Sequence, residues 1–207
     1  MILKQMEDSY RTISGESEGA YKDRGSKFLA FAFPVNSESA TKKILSDIRK
    51  QHHSARHHCY AYKLGLNNNE YRINDDGEPS GTAGKPILGQ ILSHNLTNIL
   101  IVVIRYFGGK LLGTSGLINA YRSAAEDAIL RADIVTKYVE CSIRIDFGYK
   151  RMKDIMNLIN TYGGHISEKN FDERCRMKIL IRKSLLNEFI KGFAIYKDIC
   201  FEINENT

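Results

Sequence analysis

Apolar residues recur along this chain at two different periods, and the switches between them mark out the elements. Over Tyr138 to Phe147 the residues Val139, Cys141, Ile143, Ile145 and Phe147 alternate with polar ones, which puts them on one face of a strand. Met152, Ile155, Met156 and Ile159 then follow at helical spacing, and Gly163-Gly164 supplies a stop. His165 to Asn170 and Arg174 to Ile181 read as two strands joined by a turn at Phe171-Asp172-Glu173. Leu185, Leu186, Phe189, Ile190 and Phe193 trace a second amphipathic helix with Ser184 as its cap, and Lys197 to Ile203 closes the pattern with a strand. The order strand-helix-strand-strand-helix-strand is the split βαβ, ferredoxin-like arrangement.

The preceding half reads as a mixed α/β unit. Strands are expected at Thr12 to Glu18 and Ser26 to Val35, and a helix from Ser37 to Gln51 with Ala40, Ile44 and Ile48 on one face. His57 to Leu64 is strand-like, Asn67-Asn68-Asn69 a turn, and Tyr71 to Ile73 a short strand. A loop from Asn74 to Pro86 and a short helix over Ile87 to Ser93 come next. Asn98 to Ile104 is apolar on both faces, as a central strand must be. Leu117, Ala120, Tyr121, Ala124, Ala128 and Ile129 describe a long helix that begins near Gly113-Thr114-Ser115-Gly116. The pattern changes at Ile134 to Lys137, so the reading is an α+β chain of two domains, 1–136 and 137–207.

Composition narrows the class. The chain has 207 residues, 43% hydrophobic and 26% charged, which is enough to bury a core and excludes disordered and fibrous classes. Its longest aliphatic run, Ile99 to Ile104, falls far short of the ~20 residues that span a bilayer. The opening Met-Ile-Leu-Lys-Gln-Met-Glu-Asp carries acids where a secretory signal is basic and then apolar, so a cytoplasmic protein is expected. Four cysteines without a Cys-x-x-Cys pair agree with reduced thiols in that compartment. The net charge is +6; residues 1–136 hold 17 basic and 14 acidic side chains, residues 137–207 hold 13 and 10, so each half is +3. Such a balance is compatible with phosphate backbones without requiring them.

Three stretches break the rules of a plain core. His52 to Cys59 holds four of the six histidines. On a strand, His57 and Cys59 share one face and His58 and Tyr60 the other, two ligands a side against the four that zinc takes, so no metal or other cofactor is expected. Asp75, Asp76 and Glu78 crowd three carboxylates into a loop, where they would hold a divalent cation or raise one pKa by repulsion, or simply form a turn ahead of a helix with Pro86 in its first turn. The run Gly81-Thr82-Ala83-Gly84-Lys85-Pro86 is not a phosphate loop of the Walker type, because Pro79 stands where the first glycine belongs and Pro86 follows the lysine. Arg105, at the end of a buried strand, needs an anion: Asp75, Asp76 or Glu78 in a structural role, or a bound phosphate in a functional one. Gly108, Gly109, Thr114, Ser115 and Lys85 complete that candidate anion site, with free amides at a helix start, although Thr114 or Ser115 would equally serve as a cap. No Gly-x-Ser-x-Gly elbow or activated cysteine marks a nucleophile, and no catalytic residue is assigned.

Taken in order, Arg24-Gly25-Ser26-Lys27-Phe28, Ala55 to Tyr62, Asp75 to Pro86 and Val103 to Gly109 resemble the IMPACT family, and specifically its two-domain bacterial, YigZ-like branch. The resemblance runs the length of the chain. It implies an N-terminal α/β sandwich similar to domain IV of elongation factor G and a C-terminal half similar to its domain V. Eukaryotic relatives act in translational control through a kinase activator; their RWD-type domain has no counterpart in this sequence, so that partner does not transfer. The leading expectation is a regulatory or binding protein that touches RNA, the ribosome or translation control, with Arg56, His57, Tyr60, Tyr62 and Lys63 as its nucleic-acid surface. The alternative is an enzyme or sensor for a small anionic ligand held by the acidic loop and Arg105. No membrane association is expected, and the oligomeric state is left open.

Overall fold

In the computed structural model, residues 8–66, 70–193, 195–196 and 198–204 are described. The expected turn at Asn67-Asn68-Asn69 and the start of the last strand at Lys197 lie outside them. Contacts divide the chain into two units. One spans Tyr10–Thr136; the other holds the residues from Lys137 onward together with Asp8 and Ser9.

The first unit is built on five strands: β2 (Ser17–Asp23), β3 (Ser26–Pro34), β4 (His57–Lys63), β5 (Tyr71–Asn74) and β6 (Ile99–Tyr106). They lie in the order β2-β3-β6-β4-β5, and every neighbouring pair is antiparallel. β6 is the middle strand and is buried on both faces. Ile99, Ile101 and Val103 pack with α2 (Gly84–Ser93) and α3 (Gly113–Leu130), while Leu100, Val102 and Ile104 pack with α1 (Glu38–Gln51). Each such side chain contributes about 1.5–3 kcal/mol by leaving water. The unit is therefore a sheet between two helical layers.

One expectation changes here. The single strand at Thr12 to Glu18 is instead two, β1 (Ser9–Ile13) and β2, separated by a bend over Ser14 and Gly15. β2 has little apolar signature because it meets α3 through Gly19, where a Cβ would come within 2.3 Å of the Ala128 nitrogen. The segment read as a domain boundary also forms a strand, β7 (Ile134–Tyr138), which pairs with β1.

The second unit runs β8 (Glu140–Phe147), α4 (Met152–Thr161), β9 (His165–Phe171), β10 (Cys175–Arg182), α5 (Leu186–Phe193) and β11 (Cys200–Asn204). Its sheet order, β11-β8-β10-β9, sets β10 between the two strands of the first β-α-β unit, which is a split βαβ. Cys141, Ile143, Ile145 and Phe147 form its core with Ile155, Ile159, Phe189 and Phe193. Ser184 is not the cap of α5: it sits in a 3₁₀ turn, Lys183–Leu185, and its backbone N–H donates to Asp8 Oδ2 at 2.8 Å. Asp8 also accepts from Arg182 Nη2 at 2.7 Å and Nε at 2.8 Å, and Arg182 holds its carboxyl well below the usual carboxylate range. Among the described residues, no helix is long and apolar enough to cross a membrane.

Candidate functional site

The sheet of the first unit brings the distant sequence motifs to one end. Register sets Lys27 beside Tyr106 and Phe28 beside Arg105 across β3 and β6, and His57 beside Arg105 across β4 and β6. The turn at Arg24-Gly25 lies against Gly108 so tightly that a Cβ on Gly108 would fall 1.9 Å from the Gly25 carbonyl carbon. Ser26 Oγ accepts the Gly108 N–H at 3.1 Å. Only two facing glycines allow that approach.

Behind this rim the acidic loop is pinned inward. Arg105 Nη1 donates to Glu78 Oε1 at 2.7 Å, and the Tyr121 hydroxyl donates to the same oxygen at 2.8 Å. Cys59 Sγ lies 3.3 Å from that hydroxyl and 3.0 Å from the Asp75 carbonyl. Burial pushes both the Cys59 thiol and the Tyr121 phenol up, so neither ionises near neutral pH. This network contains no activated nucleophile. The Arg105 guanidinium also stacks near Phe28, 5.6 Å from its centroid, and near Phe107, 5.4 Å away; its Nε has no hydrogen-bond partner among the described residues.

Asp75 accepts the amides of Gly81, Ala83 and Gly84 at 2.9, 3.0 and 2.8 Å, so it caps α2 from outside the helix. Burial pushes its carboxyl up, but those three amides outweigh it and hold it below the usual range. Asp76 accepts from Arg49 Nη2 and the His58 amide, both at 2.7 Å, and its carbonyl lies 2.9 Å from His57 Nδ1. Burial likewise raises Asp76, and the Arg49 hydrogen bond leads the contacts that bring it below the ordinary value. Burial keeps His58 below the ordinary imidazole value, with Nε2 3.2 Å from the His52 carbonyl. The three acids are thus spent on the fold; among the described residues no group of histidines, cysteines and acids is arranged to hold a metal ion.

The other predicted site residues divide in the same way. Arg105 is 6% exposed and paired with Glu78, which makes it an internal ion pair rather than a free anion hook. Gly108, Gly109, Thr114, Ser115 and Lys85 are exposed. Neither Thr114 nor Ser115 caps α3: the capping position is Leu112, without a side-chain hydrogen bond. Tyr60, Tyr62 and Lys63 are buried, the two rings stacked beneath α1, so they present no face to a nucleic acid. Arg56 is exposed and His57 half-buried.

Sequence reasoning missed Tyr121, whose apolar-face position reads as plain core. Of the four exposed cations of the rim it named only Arg56 as a contact. Arg24, Lys27, Arg56 and Lys110 are all exposed, and none makes an ion pair with a described residue. Arg24 and Lys27 stand in the first family-like motif; the register of β3 on β6 sets Lys27 beside Tyr106, and the Gly25–Gly108 contact brings the Arg24 turn to the same end.

The Impact N-terminal domain matches residues 24–129, the segment that carries every one of these contacts. The chain belongs to the IMPACT family. IMPACT family member YvyE of Bacillus subtilis is 30% identical over 87% of this chain and 83% of its own length. IMPACT family member YigZ of Escherichia coli is 30% identical over 82% of this chain and 84% of its own. A crystal structure of a hypothetical protein superposes with a TM-score of 0.71 at 26% identity, covering 97% of this chain and 99% of that one. The IMPACT likeness therefore extends to both units.

Proposed function

We propose that this IMPACT family member is a cytoplasmic RNA-binding protein that acts with the ribosome in translation control, and that it binds through the Gly25–Gly108 end of its first unit. The observation that carries the reading is the sorting of charge there. The loop's three carboxylates face inward onto amides, Arg49 and Arg105, while Arg24, Lys27, Arg56 and Lys110 are exposed and make no ion pair among the described residues. Exposed cations without internal partners are what a phosphate backbone engages. The glycine pair adds a side-chain-free backbone that a polynucleotide can approach closely. Part of the proposal is a likeness of the first unit to domain IV of elongation factor G and of the ferredoxin-like second unit to domain V. The small-anion alternative loses its main residue, since Glu78 already neutralises Arg105.

The test is RNA affinity measured across a salt series, with purified ribosomes and total RNA as probes. Four phosphate contacts to a single strand predict a log–log slope of about −3. Binding that ignores salt, or its absence at low ionic strength, would overturn the reading.

A further inference from the structure

We propose that Phe107 is a stacking platform for an unpaired RNA base, so that this end of the first unit prefers single-stranded RNA to duplex. The inference rests on the RNA-binding reading and names the form of nucleic acid the same surface takes. Phe107 follows the buried strand β6 yet is 53% exposed. Its ring has the Arg105 guanidinium 5.4 Å from its centroid, and that guanidinium is itself immobilised by Glu78 at 2.7 Å. A fixed cation braces the ring, so little side-chain freedom is left to lose when a base settles on it. The next two residues are Gly108 and Gly109, both exposed and without side chains to screen the ring; Gly109 takes φ +83. Lys110 lies three residues on, and Arg24 and Lys27 flank the Gly25 turn that packs on Gly108; all three are exposed at this end for the flanking phosphates. A braced aromatic beside unpaired cations is the combination by which proteins hold single strands without reading sequence. Bases inside a duplex are already stacked on one another and cannot reach such a ring, so a duplex meets only the cations.

The experiment compares the full chain with Phe107→Ala, Phe107→Leu and Phe107→Trp against oligouridine of about ten nucleotides and a duplex of equal length. Phe107→Ala and Phe107→Leu are expected to weaken single-strand binding about 5- to 150-fold, the effect of losing one base stack, and to leave duplex binding unchanged. Phe107→Trp keeps the single-strand affinity. The leucine variant retains apolar bulk, so its loss of binding with an unchanged melting temperature separates stacking from folding. Equal weakening of single strand and duplex, or no change in either while the parent chain binds RNA with a steep salt slope, overturns the platform and leaves the RNA reading standing. Failure of the parent chain to bind any RNA overturns both.

Discussion

On the open face of the second unit's sheet, Arg174 and Arg176 both reach Asp146, and Lys178 reaches Glu168 at 2.8 Å. At the Gly25–Gly108 end of the first unit, Arg24, Lys27, Arg56 and Lys110 reach no acid at all among the described residues. The two halves of the sequence have the same net charge, +3 each, yet they deploy it in opposite ways. In the second unit cross-strand register sets Arg176 beside Asp146 and Lys178 beside Glu168, so an open depression of ≈ 530 Å³ lined by Arg144, Asp146, Glu168, Arg176 and Lys178 holds both signs. In the first, backbone amides, Arg49 and the buried Arg105 take up the loop's acids and leave other surface cations in excess. Net charge is a poor guide to a binding surface; which charges have been consumed by folding is a better one.

The contrast can be broken most severely at its internal anchor. Glu78→Gln leaves the Arg105 charge buried without its counter-ion, and is expected to cost about 3–5 kcal/mol in denaturant unfolding of the full chain. A change below about 1 kcal/mol would mean that the pair carries no weight in the fold. Gly108→Ala comes next. Its new Cβ meets the Gly25 backbone at 1.9 Å, so the turn and the end of β6 must separate, at about 3 kcal/mol. Gly109→Ala meets nothing within 4 Å and suffers only its φ of +83, about 1 kcal/mol. Equal losses at the two positions would argue against a required Gly–Gly contact.

Asp8 sharpens the comparison from the other unit. Its depressed carboxyl stabilises the fold fully above the ordinary carboxylate value, about 3.9, and that stabilisation is lost as pH falls below it toward the folded value. Asp8→Asn should therefore cost about 2 kcal/mol at pH 7 and somewhat less at pH 3, where the loss has only begun, read as two denaturant midpoints. An identical cost at both pH values would remove the Arg182 pairing as its source. The smallest effects concern charge alone. Lys110→Ala should flatten the RNA salt slope by about 1, whereas Lys178→Ala, already paired to Glu168, should leave it unchanged. Equal slopes for both variants would dissolve the distinction between the units.

Much of the second unit was legible along the chain, because its strands are half-covered and its helices amphipathic. Cys141, Ile143, Ile145 and Phe147 alternate in the sequence and all face the core. β6 was equally readable, since only a doubly covered strand is apolar at every position from Ile99 to Ile104. β2 was not, because a glycine makes its key contact with α3, and the pairing of Asp8 with Arg182 left no mark on either segment.

Residue types and their spacing determined the elements, the glycine pair and the crowding of three acids, since periodicity and turn chemistry are local properties. Direction was decided by the tertiary structure. Strand register and the start of α2 turned Asp75, Asp76 and Glu78 inward, α1 closed over Tyr60 and Tyr62, Lys63 was buried at the end of β4, and Phe107 was left in solvent beside Arg105. Which side of a strand is covered, and by what, depends on contacts between segments far apart in the chain, such as Ser26 with Gly108, 82 residues on, and no local pattern encodes that distance.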